Sequence, residues 1–391
     1  MSLGRPSHVV LALMLAVIAC SPEGSPTALP GAPLPGLSAD ELARFRTGQV
    51  QFDRVFTPDE GLGPLFNENQ CAACHTDPAS GGGGGVFVVK ATRFTPPDAC
   101  DRLESHGGEN VRRQATPLAR ALGIEREAVP VEATEQGRFT PTFLFGLGLV
   151  EAIPDRSILE REDPEDADGD GVSGRAGRTP SGALGRFGRK AEAATLREFT
   201  DGALRLEMGL STPLTPTESG YGGAVVPPGT DPVPEPEVDD LVLDRLVDFV
   251  RFLSPPARSD YGQAHRDSVA RGARLFDSLG CTGCHVSSMT TGESEVDALD
   301  RKRVFLYSDL LLHDLGPEVA DVCGITAAPS EVRTELLMGL RFRDAYIHDG
   351  RSHDLDDAIM RHGGEARRAR DAYARLDPRA RLLLMAFLNS L

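Results

Sequence analysis

Two five-residue stretches carry the clearest chemistry in the chain, Cys71-Ala72-Ala73-Cys74-His75 and Cys281-Thr282-Gly283-Cys284-His285. Each sets two thiols three positions apart with an imidazole directly after the second. This is the attachment pattern of c-type haem, in which the thiols add across the two vinyl groups and the adjacent His reaches the iron. A zinc ribbon would need four similar ligands per site, and a thioredoxin-like dithiol would need a βαβ setting. Neither accounts for a His after both pairs. The spacing therefore predicts two covalently bound haem c groups, attached at Cys71, Cys74, Cys281 and Cys284, with His75 and His285 as proximal iron ligands.

The seven cysteines include three others, and the first explains where the chain goes. Arg5 precedes an apolar run, Val9 to Ala19, that is too short to span a bilayer and reads as an export signal over residues 1–19. Val17-Ile18-Ala19-Cys20 resembles a lipobox, which implies diacylation of Cys20 and a lipid anchor on the periplasmic side of the cell envelope. The alternative is an ordinary cleaved signal with a chance Cys. Residues 20–37, rich in Pro, Ser, Ala and Gly, read as a tether. Export also places the thiols in an oxidising compartment. Cys100 and Cys323 are then either a disulfide joining the two halves or two separate thiols.

The balance of charge limits the partners. Acidic residues outnumber Lys and Arg by 58 to 41, giving a formal charge of −17 over 391 residues. Nucleic acid is excluded as a natural partner, and a protein steered to this surface, such as a small redox donor, should be basic. The chain has no Trp, so no tryptophan radical can relay electrons within it.

Positioning two haems requires two helical units. The sequence predicts a mainly α fold of two tandem cytochrome-c-like haem domains with long loops, because haem supplies much of each small core. Residues 38–212 form the N-terminal haem domain, 213–238 a Pro/Gly-rich connection and 239–391 the C-terminal haem domain. Sparse repeats support duplication. Gly63-Pro64-Leu65-Phe66 precedes the first motif as Gly272 to Phe276 precedes the second, each Leu-Phe pair entering a helix that ends at the haem. Glu207-Met208-Gly209 answers Arg361-His362-Gly363. Asp239-Asp240 caps an amphipathic helix, Leu241 to Leu253, which Pro255-Pro256 ends.

Over about residues 45 to 391 the sequence resembles the di-haem oxidoreductases, also called thiol oxidoreductases, which are related to bacterial di-haem cytochrome c peroxidases and to the methylamine dehydrogenase maturation enzyme. The blocks that carry the resemblance include Gly61-Leu-Gly-Pro-Leu-Phe-Asn67, Gly146-Leu-Gly-Leu-Val-Glu-Ala-Ile-Pro154, Gly185-Arg-Phe-Gly188, Tyr307-Ser-Asp-Leu-Leu-Leu-His-Asp314 and His362-Gly-Gly-Glu-Ala366. Two positions depart from the family pattern: Arg189 stands where an aromatic is usual, and Glu335-Leu336 replaces a Pro pair.

The resemblance implies sixth ligands. His362 matches the place where the relatives put a Met or a Tyr on the second iron, with His348 as the other candidate; His348 equally suits a turn cap. His313 resembles a histidine of the pocket wall. For the first iron the repeat sets Met208 opposite His362, although a buried Met is also ordinary core. Glu151, in the apolar run Gly146 to Ile153, is the candidate catalytic acid/base if burial raises its pKa; the alternative is a carboxylate paired with an Arg such as Arg138. Asp166, Asp168 and Asp170 form half of a calcium loop or, failing that, a solvated acidic turn.

Two functions stay open at this stage. One is a peroxidase-like di-haem oxidoreductase that takes electrons from a small donor protein and reduces peroxide or a related oxidant. The other is a non-catalytic di-haem electron carrier.

Overall fold

The computed structural model describes residues 29–217, 220–221, 226–259 and 262–391. The export signal and Cys20 lie outside the described residues. Among the described residues no helix is long and apolar enough to cross a membrane.

Two helix pairs frame the molecule. In the first, α1 (Ala39–Phe52) starts at a capping box in which the Glu41 amide donates to Ser38 Oγ while the Ser38 amide donates to the Glu41 carboxylate. It is followed in the chain by the one-turn α2 (Cys71–Cys74), α3 (Pro117–Ala121), α4 (Leu147–Glu151), α5 (Asp155–Leu159) and α6 (Leu196–Ala203). Its partner is α7 (Asp240–Phe252), capped by Asp239 as the sequence predicts. The second pair is α8 (Gln263–Ser278) and α11 (Pro378–Leu388), with the short α9 (Leu355–Met360) and α10 (Arg367–Ala374) between them.

Each pair crosses at a glycine. A Cβ on Gly48 of α1 would lie 2.1 Å from the Arg245 carbonyl oxygen of α7, and one on Gly272 of α8 would lie 2.0 Å from that of Leu383 on α11. One turn further on, Phe52 packs on Phe249 at 4.7 Å between ring centroids and Phe276 packs on Phe387 at 5.2 Å. This corrects two expectations. The first-half counterpart of Phe276 is Phe52, whereas Leu65–Phe66 is a short strand, β1, and enters no helix. And α7, which the sequence assigns to the C-terminal segment, packs along α1. The last residues of the expected tether are also packed: Leu34 is buried and its amide donates to the Phe252 carbonyl.

The expected mainly α fold with little sheet is replaced by a mixed one, 33% helix and 12% strand. After the first motif the chain builds its own antiparallel sheet, in which β2 (Val88–Thr95) pairs with β3 (Ala99–Asp101), β4 (Asn110–Val111) and, after β5 (Gln114–Ala115) has joined β1, with β6 (Glu135–Phe139). Val88-Val-Lys-Ala-Thr-Arg-Phe-Thr95 is rich in β-branched and aromatic residues, which favour the pleated, half-buried surface it forms. Further short strands, β7 (Met289–Thr290) with β8 (Arg303–Val304) and β9 (Leu312–Asp314) with β10 (Glu331–Arg333), brace the loops after the second motif. A disulfide joins Cys100 on β3 to Cys323, and the Cys323 amide donates to Thr92 Oγ1 on β2. The sheet is thereby clamped to the second half.

The Gly185-Arg-Phe-Gly188 block is architectural. Arg186 is buried, and its Nη1 donates to the carbonyls of Val150, Glu151 and Ile153, which closes the C-terminal end of α4.

Candidate haem sites

The two Cys-x-x-Cys-His motifs are held in the same way. His75 follows α2, and its Nδ1 donates to the Gly82 carbonyl at 3.0 Å; His285 follows a single helical turn, and its Nδ1 donates to the Tyr307 carbonyl at 2.9 Å. A carbonyl can only accept, so Nδ1 carries the proton and Nε2 keeps its lone pair, as an iron ligand requires. Phe52 stands 6.1 Å from the His75 ring at 55°, and Phe276 stands 6.1 Å from the His285 ring at 54°. Burial lowers the pKa of both imidazoles, that of His285 to about 4, so both are neutral at pH 7.

The four motif thiols are unpaired, whereas Cys100 and Cys323 are joined. Burial pushes the thiols of Cys71, Cys74 and Cys281 up to about 12 and raises that of Cys284. A nucleophilic dithiol needs the opposite shift. Thiol exchange chemistry therefore has no support at either motif.

Beside the second motif lies a cavity of about 770 Å³, lined among others by Cys281, Cys284, His285, His362 and Phe276. Its size is that of a large cofactor pocket. His362 follows α9, and its Nδ1 donates to the Ala358 carbonyl at 2.8 Å, which leaves the Nε2 lone pair free here too. Burial lowers its pKa, and its ring acts electrostatically on His285. Attachment thiols, two neutral imidazoles and an apolar slot fit a haem at this place.

The other candidates separate. His348 Nε2 lies 2.5 Å from a carboxylate oxygen of the buried Asp321, whose other oxygen is 3.1 Å from Lys190 Nζ. It is thus tied to a charge cluster and not presented as a free ligand. His313 is likewise held between Asp309 and Glu365, each at 2.8 Å, with its Nδ1 3.6 Å from Cys284 Sγ. Burial opposes charge there, but the two carboxylates prevail and raise its pKa to about 12. Met208 ends a π-helical turn (Leu204–Met208), and its side chain lies in the main apolar core.

Glu151 is not a free acid. One carboxylate oxygen accepts from the Leu196 amide at the start of α6 and the other from Arg251 Nε on α7, each at 2.8 Å. The expected alternative partner, Arg138, lies over the Phe87 ring instead. The group that matches the expected chemistry is Glu207. Its carboxylate accepts from the side-chain amides of the buried Asn67 and Asn110, and burial raises its pKa. Its charge is felt by the Cys74 thiol. The sequence held a signal for it, since Glu207 adjoins Met208 in the repeat, but no pattern marks a carboxylate as buried by residues so distant in the chain as Asn67 and Asn110.

The acidic loop also differs from expectation. Asp163, not Asp170, joins Asp166 and Asp168 in a cluster. The Asp170 carboxylate accepts from the Val172 amide, and the other carboxylates likewise accept from loop amides.

Comparison with known proteins then decides the family. Residues 132–391 match the family described as "Di-haem oxidoreductase, putative peroxidase". The chain belongs to this di-haem oxidoreductase family. The match includes the second motif, while the first lies ahead of it. Among curated proteins none matches. Two solved structures are similar at low identity: Kuenenia stuttgartiensis hydrazine synthase, 14% identical over 99% of this chain and 100% of that one with a TM-score of 0.42, and a MauG-like protein associated with microbial copper homeostasis, 14% identical over 93% and 91% with a TM-score of 0.38. As a member of the family the chain is a haem-dependent redox protein.

Proposed function

We propose that this di-haem oxidoreductase carries one covalent haem c at each motif and is peroxidase-like, taking electrons from a small, basic donor protein and reducing peroxide or a related oxidant. The observation that carries the proposal is the duplicated setting: a glycine-crossed helix pair, a Phe one turn on, and a proximal His whose Nδ1 is pinned to a carbonyl. On this reading the units are an N-terminal one closed by α7 and a C-terminal one opened by α8. Cys20 anchors the protein to the membrane on the periplasmic side.

Haem bound at such motifs supplies reversible one-electron chemistry. The residues of the chain do the rest. His362 offers a second nitrogen to the haem at Cys281 and Cys284, which suits that site to electron relay. Glu207, whose carboxyl burial shifts toward the protonated form, stands beside the first motif and is the group to deliver a proton to a peroxide oxygen; one peroxide takes up two electrons from the donor and two protons to leave as two waters. Asn67 and Asn110 orient its carboxylate.

The test is haem counting and a spectrum. Pyridine haemochrome should give two haems of c type per chain, and Cys74→Ala and Cys284→Ala should each remove one. Peroxide should then perturb the ferric absorption spectrum of the intact protein. Two haems with no response to peroxide would favour the electron carrier.

A further inference from the structure

The lining of the cavity gathers three arginines around one carboxylate. Arg189, Arg333 and Arg343 all line it, with Glu335 among them. Glu335 Oε2 accepts from Arg189 at 2.5 Å, Oε1 accepts from Arg343 at 2.9 Å, and Arg333 lies 3.6 Å away. Arg189 and Glu335, the two departures from the family pattern, are thus ion-paired with each other. Three guanidiniums surround one carboxylate, so the cluster itself carries an excess of positive charge inside the protein. The neighbouring acids match them only in part: Asp321 is engaged by Lys190, and His313 lies between Asp309 and Glu365, so one carboxylate of that pair is left to offset an arginine and a positive charge remains. The Nε atoms of Arg189 and Arg343 are buried and have no hydrogen-bond partner. Burying unpaired charge costs several kcal/mol per ion, which leaves this wall poised for an anion. A planar guanidinium fork fits a carboxylate.

We propose that Arg189, Arg333 and Arg343, gathered around Glu335, form a carboxylate-binding site whose occupant is the propionate side chains of the haem attached at Cys281 and Cys284. Arg189 also reaches the Thr140 carbonyl, and Arg343 stacks over Phe143, so the cluster ties the haem edge to the segment that packs against the first motif loop at Gly83. Arg189 stands where the resemblance expects an aromatic residue. The proposal rests on the second motif holding haem.

The experiment is a spectroelectrochemical titration of the purified two-haem protein. Arg343→Gln and Arg189→Gln each remove a positive charge, which favours the ferric state: the reduction equilibrium should shift about tenfold toward oxidised, about 59 mV for one electron. Glu335→Gln should shift it the other way, and Arg343→Lys should hold it near the parent value. Charge alone would do this much, so pH supplies the specific readout. Guanidiniums that hold propionates keep them ionised; the parent potential should be flat between about pH 5 and pH 8, and Arg343→Gln should make it fall with rising pH. Added sodium formate should leave the parent potential unchanged. If formate shifts it, the cluster takes a free anion and the propionate assignment is wrong. If two haems are present by pyridine haemochrome yet Glu335→Gln and Arg343→Gln leave the potential and its pH profile unaltered, the cluster holds no haem carboxylate. Should Arg343→Gln lose haem, the pH profile of Arg189→Gln decides instead: a potential that falls with rising pH supports the propionate assignment, and a flat one overturns it. A single haem in the parent, lacking at the second motif, would instead remove the haem reading on which the proposal rests.

Discussion

Gly48 and Gly272 hold equivalent places in two helix crossings, each where a carbonyl of the partner helix passes about 2 Å from the position a Cβ would take. Backbone cannot give way as a flexible side chain can. Gly48→Ala should force α1 from α7, and Gly272→Ala should force α8 from α11, each costing about 1–3 kcal/mol or more. The thermal midpoint should fall by several degrees in both. Because Phe276 lies one turn from Gly272 and against His285, Gly272→Ala should also weaken haem retention at the second motif while leaving the first. Calorimetry with haem counting checks both, and an undisturbed midpoint in either variant would contradict the close crossing.

Glu207 and Glu151 make opposite predictions. Glu207→Gln keeps the shape but cannot lose or regain a proton, so peroxide turnover should drop about 10²–10⁴-fold with both haems present. Its raised pKa favours the protonated form, so turnover that needs the acid should decline as pH rises through that pKa. Glu151→Gln should leave turnover near the parent value and reduce stability by about 1–2 kcal/mol, because it weakens the link from Arg251 to α6. Steady-state peroxide assays on the two variants separate them; loss of turnover in Glu151→Gln alone would restore the sequence-based assignment.

The disulfide predicts a stability effect without a haem effect. Cys100 and Cys323 are 223 residues apart, and closing so long a loop constrains the unfolded chain strongly. Cys100→Ser should cost about 2–5 kcal/mol in denaturant unfolding. Pyridine haemochrome should still count two haems.

His362→Gly should abolish one low-spin signal in electron paramagnetic resonance, because it removes the imidazole nitrogen that faces the cavity. His348→Gln should leave that signal in place, since His348 is committed to Asp321. The reverse pattern would exchange their roles.

What is legible in the sequence follows the range of the physical constraint. Thioether attachment needs two thiols and a His in contiguous spacing, so Cys71 to His75 and Cys281 to His285 are visible at once. The cap at Asp239 depends on a few neighbouring residues and is legible too. The β2 sheet is not, because its pairing with β6 brings together Val88 and Phe139, and haem packing at one end of the segment says nothing of it. The pairing of α1 with α7 is hidden for the same reason. It rests on Gly48 meeting Arg245, across a chain interval longer than the first motif, the sheet and the connection together. Glu151 illustrates the limit most plainly: an apolar run marks burial, but its partner Arg251 comes from another helix.

His313 gives the final prediction, a dependence of stability on pH. It lies between Asp309 and Glu365, and although its burial disfavours charge, those carboxylates raise its pKa from 6.5 to about 12. A base whose folded pKa lies above its unfolded one contributes stability that is complete below the unfolded value and is lost as pH rises through the folded value. Between about pH 7 and pH 10 the unfolded chain sheds this proton while the native protein keeps it, so the thermal midpoint should fall steadily over that range. His313→Gln should flatten the slope, and should itself lower stability at neutral pH by leaving the Asp309 and Glu365 carboxylates without their cation. At low pH the difference narrows, since protonating Glu365 removes its claim on His313 and the two proteins should converge. Melting curves of the parent and His313→Gln across this range decide the matter: equal slopes would mean that the imidazole is neutral in the native protein and that the two acids are paired elsewhere.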